Sequence, residues 1–290
     1  MSLRIFTTLH SQSAATLLAL LVVCTLAACQ TAGGGKTVTF DNLHKTPKTL
    51  EGVLALPKQG AGPFPAVILL HGTAGPDNRY DFHRAALLKA GIATFQVDFK
   101  SGVFTDASDR PSSSTFDPFT YAALRELRKN PAIDPNRIAL MGFSLGGHLS
   151  LRLANENPRR GWLDEGEVGF AAHVGFYPGC KWLNGRFSVL AKPTGAPILI
   201  LTGELDSYGD GKSCGPFVEK LNKITPGVAS VKIYPGVYHG FDRGGSWSGY
   251  DPAAIKQVAI LKHDSAAAED SRRRAVNFLR RVFGLTEAGS

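Results

Sequence analysis

The chain has 290 residues and a formal net charge of +8, a length that suits one large α/β domain or two small ones. The positive charge is diffuse, and its longest run, Arg272 to Arg274, has no aromatic residues interleaved with it. A stacking platform for nucleic acid needs such residues, so the run reads as the solvated face of a helix and no nucleic-acid partner is expected.

Arg4 is the only charge in the first 35 positions, and Ala14 to Ala28 is an almost unbroken apolar stretch of 15 residues. A spanning helix needs about 20 residues, so this stretch reads as an export signal. It ends in "LAAC", Leu26 to Cys29, which resembles the lipobox of bacterial lipoproteins. That resemblance implies cleavage before Cys29, a diacylglyceryl group on its sulfur and acylation of the new amino terminus; two or more chains hold firmly where one holds marginally. Residues 1–28 are then a lipoprotein signal peptide and residues 29–47 a tether, opening with the flexible "QTAGGGK". The expected address is the bacterial cell envelope, periplasm or outer membrane, with membrane attachment through Cys29. The alternative is a secreted protein cut at the neighbouring alanines. Without residues 1–28, which carry one arginine, 262 residues and a charge of +7 remain. Of four cysteines, Cys24 falls in the signal and Cys29 at the lipidation site, leaving Cys180 and Cys214. In an oxidising setting an even remainder suggests a disulfide; two independent buried thiols are the alternative.

From Lys36 onward, short β-rich runs alternate with longer amphipathic ones. "KTVTF" and "LEGVLAL" lie close together and read as an antiparallel hairpin. Then come "AVILL" (66–70), "IATFQV" (92–97), "IALM" (138–141), "AAHVGFY" (171–177), "APILILTG" (196–203) and "SVKIY" (230–234). Nearly continuous apolar runs of this kind are strands covered on both faces. Helices are expected at 81–91, 117–130, 146–156, 214–224 and about 265–283, the last with Ala275, Phe278, Leu279 and Val282 at helical spacing. Strand and helix in alternation mean a parallel sheet with right-handed crossovers. With no internal repeat, residues 48–286 read as one domain. Lys100 to Phe116 and Gly240 to Asp251 read as irregular loops at the carboxyl edge of the sheet, where open α/β folds bind ligands.

"GFSLG", Gly142 to Gly146, matches G-x-S-x-G between an apolar strand and a helix, the context of a nucleophile elbow. The turn is sharp enough that side chains two positions either side of the serine would collide with neighbouring elements, and glycine removes the collision. A serine hydroxyl needs a base to take its proton and an acid to orient that base, here in the chain order Ser, acid, His. His173 sits inside a strand and reads as structural, and His263 lies in a polar stretch before the last helix. His239, in "VYHGF" beyond the last strand, is the expected base. After the penultimate strand, "LTGELDSYGD" offers Glu204, Asp206 and Asp210; Asp206 is best placed and Glu204 is the fallback. The oxyanion hole needs two N–H donors. Leu145 supplies one by position and Thr73, in "HGTAG" (71–75), the other, with His71 shaping that loop.

Together these residues resemble the dienelactone hydrolase family. The resemblance covers roughly residues 48 to 284 and is carried by "PAVILLHG", "DPNRIALMGFSLGG", "YPG" (177–179), "ILTGELD" and "YPGVYHGF". It implies an α/β-hydrolase fold, with a mostly parallel sheet of about eight strands flanked by helices. It also implies a monomer that needs no metal or organic cofactor and cleaves small-molecule carboxylic esters or lactones through an acyl-enzyme. Founding members carry a cysteine nucleophile and a glutamate in the first oxyanion loop; this chain has Ser144 and the "HG" of serine esterases. The family holds a substrate carboxylate with two arginines. One maps onto Arg243, four residues after His239, and Lys100 and Arg110 are candidates for the other. On this fold Cys180 and Cys214 each follow a strand at the active-site edge, where a disulfide would brace the loop of Asp206. The rivals are an acetyl or polyester esterase, or a peptidase like the prolyl oligopeptidases, on the same fold, and a ligand-binding lipoprotein without activity. The chain is too short for the propeller such peptidases carry, and all three triad positions are filled.

Overall fold

A computed structural model of the protein describes residues 34–45, 47–99, 116–185 and 192–285. The opening hairpin forms: β1 (Lys36–Asp41) pairs antiparallel with β2 (Thr49–Ala55). β1 is thus the outer strand of the sheet, although its residues fall in the 29–47 stretch read as tether. There follow β3 (Phe64–Leu70), α1 (Arg79–Lys89), β4 (Ala93–Asp98), α2 (Asp117–Arg128), β5 (Ile133–Phe143), α3 (Leu145–Arg152) and a short α4 (Glu156–Arg160). Next come β6 (His173–Phe176), α5 (Cys180–Gly185), β7 (Ile198–Gly203), α6 (Cys214–Ile224) and β8 (Ala229–Tyr234). A small hairpin, β9 (Trp247–Tyr250) and β10 (Val258–Leu261), precedes the last helix, α7 (Ser265–Val282).

The large sheet has eight strands in the order β1-β2-β4-β3-β5-β6-β7-β8. β2 pairs antiparallel with β4, and every pairing from β4 to β8 is parallel. Period-two alternation of strand side chains sends successive residues to opposite faces. Ala66, Ile68 and Leu70 of β3 therefore pack with Phe119 and Leu127 of α2 and Leu149 of α3. Val67 and Leu69 pack on the other face with Tyr80 and Leu87 of α1 and Phe278 and Leu279 of α7. A third cluster seats Phe217 and Leu221 of α6 on Ile198 and Ile200 of β7. Each such leucine is worth roughly 2–5 kcal/mol against alanine. Three layers result, with β5 near the middle and its carboxyl end, the elbow, open to solvent on the loop side.

Two expectations are corrected. The helix expected over 146–156 ends at Arg152, because Asn155 takes extended backbone and its side chain accepts the Asn157 N–H to start α4. The stretch 240–251, expected to be irregular, contains β9. "WSGY" shows no alternation, and its pairing is supplied from β10, which hangs on Ser207 through the Ile260 N–H (3.0 Å) and the Ile255 N–H (2.9 Å).

His173 lies in β6 with 1% of its surface exposed. Burial favours the neutral ring and lowers its pKa from 6.5 to about 4. As pH falls the unfolded chain takes up the proton first, so stability present at neutral pH is lost across the window from 6.5 down to 4. Urea unfolding at pH 7 and pH 4.5 should show His173→Leu losing about 2 kcal/mol less over that interval than the wild type.

Candidate active site

The elbow is built by close backbone contact. A Cβ on Gly142 would stand 2.1 Å from the Gly146 carbonyl, and one on Gly146 would stand 2.2 Å from the Leu70 oxygen. A Cβ on Gly147 would stand 2.7 Å from the Phe176 oxygen. With glycine at all three positions, the Ser144 N–H reaches the Phe176 carbonyl (3.0 Å) and the Gly146 N–H reaches that of His71 (3.1 Å). Ser144 itself is held at φ 54, ψ −112, a region that L-residues rarely occupy. This lifts its hydroxyl off the sheet at the start of α3. Leu145, the first helical residue, has an N–H with no acceptor inside the helix.

His239 is 4% exposed, and its Nε2 lies 3.0 Å from the Ser144 Oγ. Its Nδ1 lies 2.9 Å from Oδ2 of Asp206, whose other oxygen accepts the N–H groups of Tyr208 (2.8 Å) and Gly209 (3.0 Å). The ring of His239 is flanked by those of Tyr177 and Tyr208, with centroids 4.6 and 4.7 Å away. Glu204 points elsewhere: it is partly exposed, and hydrogen bonds from the Gly236 N–H and Lys212 hold its pKa below the usual carboxylate range. Asp210 adopts φ 49 at a turn. His263 is exposed and bound to the Arg243 carbonyl.

The loop of residues 71–75, expected to supply an oxyanion donor, lies against Ser144, since a Cβ on Gly72 would stand 3.4 Å from that of Ser144. A bond from the Gly75 N–H to the Gly72 carbonyl closes the turn that contains Thr73. His71 fixes this loop. Its Nε2 accepts the Phe99 N–H (3.0 Å) and its Nδ1 faces the Gly72 carbonyl (2.6 Å), which together require the neutral Nδ1–H tautomer. Arg243 is partly exposed, and among the described residues its guanidinium has no hydrogen-bond or ion-pair partner. Lys100, Arg110 and Cys29 lie outside the described residues.

Cys180 and Cys214 form a disulfide. Around it the segment after β6 grips the loop that carries Asp206: the Lys181 N–H meets the Gly209 carbonyl (3.2 Å), the Trp182 indole N–H meets that of Tyr208 (3.1 Å) and the Asn184 amide meets that of Ser213 (3.0 Å).

One group of residues was not singled out in the sequence as a unit. Behind His239, Tyr177 donates to Asp242 (2.5 Å) and accepts from Arg79 (3.0 Å); Asp242 also meets His83 (2.8 Å), and Arg79 forks onto Asp77 (2.7 and 2.5 Å). Burial alone would push the Asp242 carboxyl up, but His83, Arg79 and the Tyr177 hydroxyl hold it below its ordinary value. The available signal was the i, i+4 spacing of Arg79 and His83 on the core-facing side of a helix.

The sequence pattern of the dienelactone hydrolase family matches residues 50–283. The chain belongs to this family. Among its relatives, NocK of Nocardia uniformis subsp. tsuyamanensis is 29% identical over 202 residues, 66% of this chain and 52% of NocK. The chain thus spans about half the length of that curated relative. Of solved structures, Thermogutta terrifontis esterase 2 phosphorylated by paraoxon superposes with a TM-score of 0.63 at 16% identity, covering 89% of this chain and 97% of that one. The dienelactone hydrolase-like promiscuous phosphotriesterase P91 from metagenomic libraries superposes at 0.64 and 20% identity, covering 86% and 98%. At these identities the likeness shows the α/β-hydrolase fold that this family member shares.

The disulfide closes a loop across 34 positions, for which chain entropy gives roughly 2–4 kcal/mol. The double substitution Cys180→Ser, Cys214→Ser should lower unfolding stability by that amount in guanidinium titrations.

Proposed function

We propose that the protein is a carboxylic ester hydrolase that works through an acyl-enzyme on Ser144. The observation that carries this reading is the unbroken hydrogen-bonded line from the Ser144 hydroxyl through His239 to Asp206. His239 Nε2 takes the Ser144 proton as the oxygen attacks the ester carbonyl, while Asp206 holds the imidazole in its Nδ1–H tautomer. The N–H groups of Leu145 and Thr73 face the developing oxyanion, at roughly 3 kcal/mol per donor. His239 returns the proton to the departing alcohol, and water, activated by the same imidazole, then releases the acid. Arg243 stands four residues from His239, and its guanidinium has no hydrogen-bond or ion-pair partner among the described residues, which supports a substrate bearing a carboxylate.

A fluorophosphonate probe or paraoxon should label the wild type once per chain, and Ser144→Ala should label not at all. Asp206→Asn should lower kcat by roughly 10⁴. p-Nitrophenyl esters of graded length, with and without a free carboxylate, should separate under Arg243→Ala, which raises KM for the carboxylate series alone. Labelling that survives in Ser144→Ala would overturn the mechanism.

We further propose that residues 1–28 are a lipoprotein signal and that Cys29 carries the lipid. The "LAAC" stretch, Leu26 to Cys29, after the apolar run that ends at Ala28, supports this. Fractionation of the producing bacterium should find the wild type with the membranes and Cys29→Ala in the soluble fraction.

A further inference from the structure

The polar group behind His239 is an expensive way to fill a protein interior. Asp242 and His83 are 4% and 1% exposed, and Tyr177 and Arg79 are buried with them. Well-packed apolar side chains of similar volume often match or exceed the stability of such a buried ionic cluster. Tyr177 also sits at φ 37, a left-handed conformation that costs a side-chain-bearing residue on the order of 1–2 kcal/mol. The cluster joins the parts of the site that must stay in register. Asp242 lies three residues after His239 in the same loop, and its two oxygens are held by Tyr177 from the end of β6 and by His83 from α1. On the other side of the phenol, Arg79 reaches toward the oxyanion loop: its Nη2 lies 3.6 Å from the point where a Cβ on Gly72 would stand. The Tyr177 ring itself packs on the imidazole of His239.

One hydroxyl is therefore the common atom between the loop that carries the base and the loop that carries an oxyanion donor. We propose that the Tyr177 hydroxyl is a positioning group, which sets the His239 imidazole and the Gly72–Thr73 turn relative to Ser144 through its bonds to Asp242 and Arg79. This rests on the hydrolase reading given above. The hydroxyl touches no reacting atom. Its one proton is given to Asp242 and its oxygen accepts from Arg79, so it offers His239 no proton and acts through position.

The test uses the full chain with Tyr177→Phe, which keeps the ring, and Asp242→Asn, which keeps the carboxylate's shape. Titration with a fluorophosphonate to completion counts the folded, active fraction of each protein. Per active site, each variant should lose roughly 10- to 100-fold in kcat, the scale of a displacement of about 1 Å, with KM within about twofold of the wild type. The double variant should lose no more than the more severe single one, because Tyr177→Phe removes the same bond that Asp242→Asn weakens by replacing its charged acceptor with a neutral amide oxygen. Proton NMR should show the deshielded His239–Asp206 hydrogen-bond proton of the wild type broadened or lost in Tyr177→Phe. The proposal is overturned if kcat of Tyr177→Phe, corrected for active fraction, stays within about twofold, if the two losses multiply in the double variant, or if the low-field proton is unchanged. A wild type that labels with no fluorophosphonate and cleaves no ester defeats the hydrolase reading instead. The NMR comparison then decides alone whether the hydroxyl positions His239.

Discussion

Three strand ends meet at the elbow with no side chain between them. The backbone of Gly146 lies against the end of β3, that of Gly147 against the end of β6, and Gly142 against the first turn of α3. At that separation the Ser144 and Gly146 amides can bond directly to neighbouring strands. The strain at Ser144, on the order of 1–3 kcal/mol, is offset by bonds available only in this arrangement. The place of Ser144 is consequently set by the spacing of a parallel sheet, which is the stiffest ruler the fold possesses. The loop of Gly72 and Thr73 leaves β3 and Tyr177 leaves β6, so both take their positions from the same ruler.

Most of this frame could be read in the residues because it follows from periodicity and backbone sterics. The apolar runs of β3 and β7 can only be strands covered on both faces, and the glycines around Ser144 make sense only in a tight strand-to-helix turn. The hairpin β9–β10 was not readable, because β9 has no alternation of its own and exists through pairing with β10 and two bonds to Ser207. Likewise, nothing near Asn155 in the chain announces that it ends one helix and caps the next. Among candidate site residues, Ser144, Asp206 and His239 come together in one hydrogen-bonded line, whereas Glu204 faces solvent with Lys212. The cluster of Asp77, Arg79, His83, Tyr177 and Asp242 draws on three segments, and only the tertiary fold shows that they meet.

Two of the carboxylates facing histidines in this region differ in kind. Asp206 bonds the edge of the His239 ring that turns away from Ser144 and is itself held by two backbone amides of its loop. Asp242 is equally buried and is held by side chains from α1 and the end of β6. Anchors that come from the local chain are fixed as soon as the loop forms. Anchors that come from distant elements are fixed only when α1 and β6 have docked, which ties the placing of Asp242 to completion of the sheet.

The contact between Gly179 and Gly209 also limits how this protein can change. A Cβ on Gly209 would stand 2.3 Å from the Gly179 Cα, so the segment after β6 and the acid loop touch backbone to backbone beside the disulfide. Neither can take on bulk or shift without the other. That contact is closed to refashioning by point substitution.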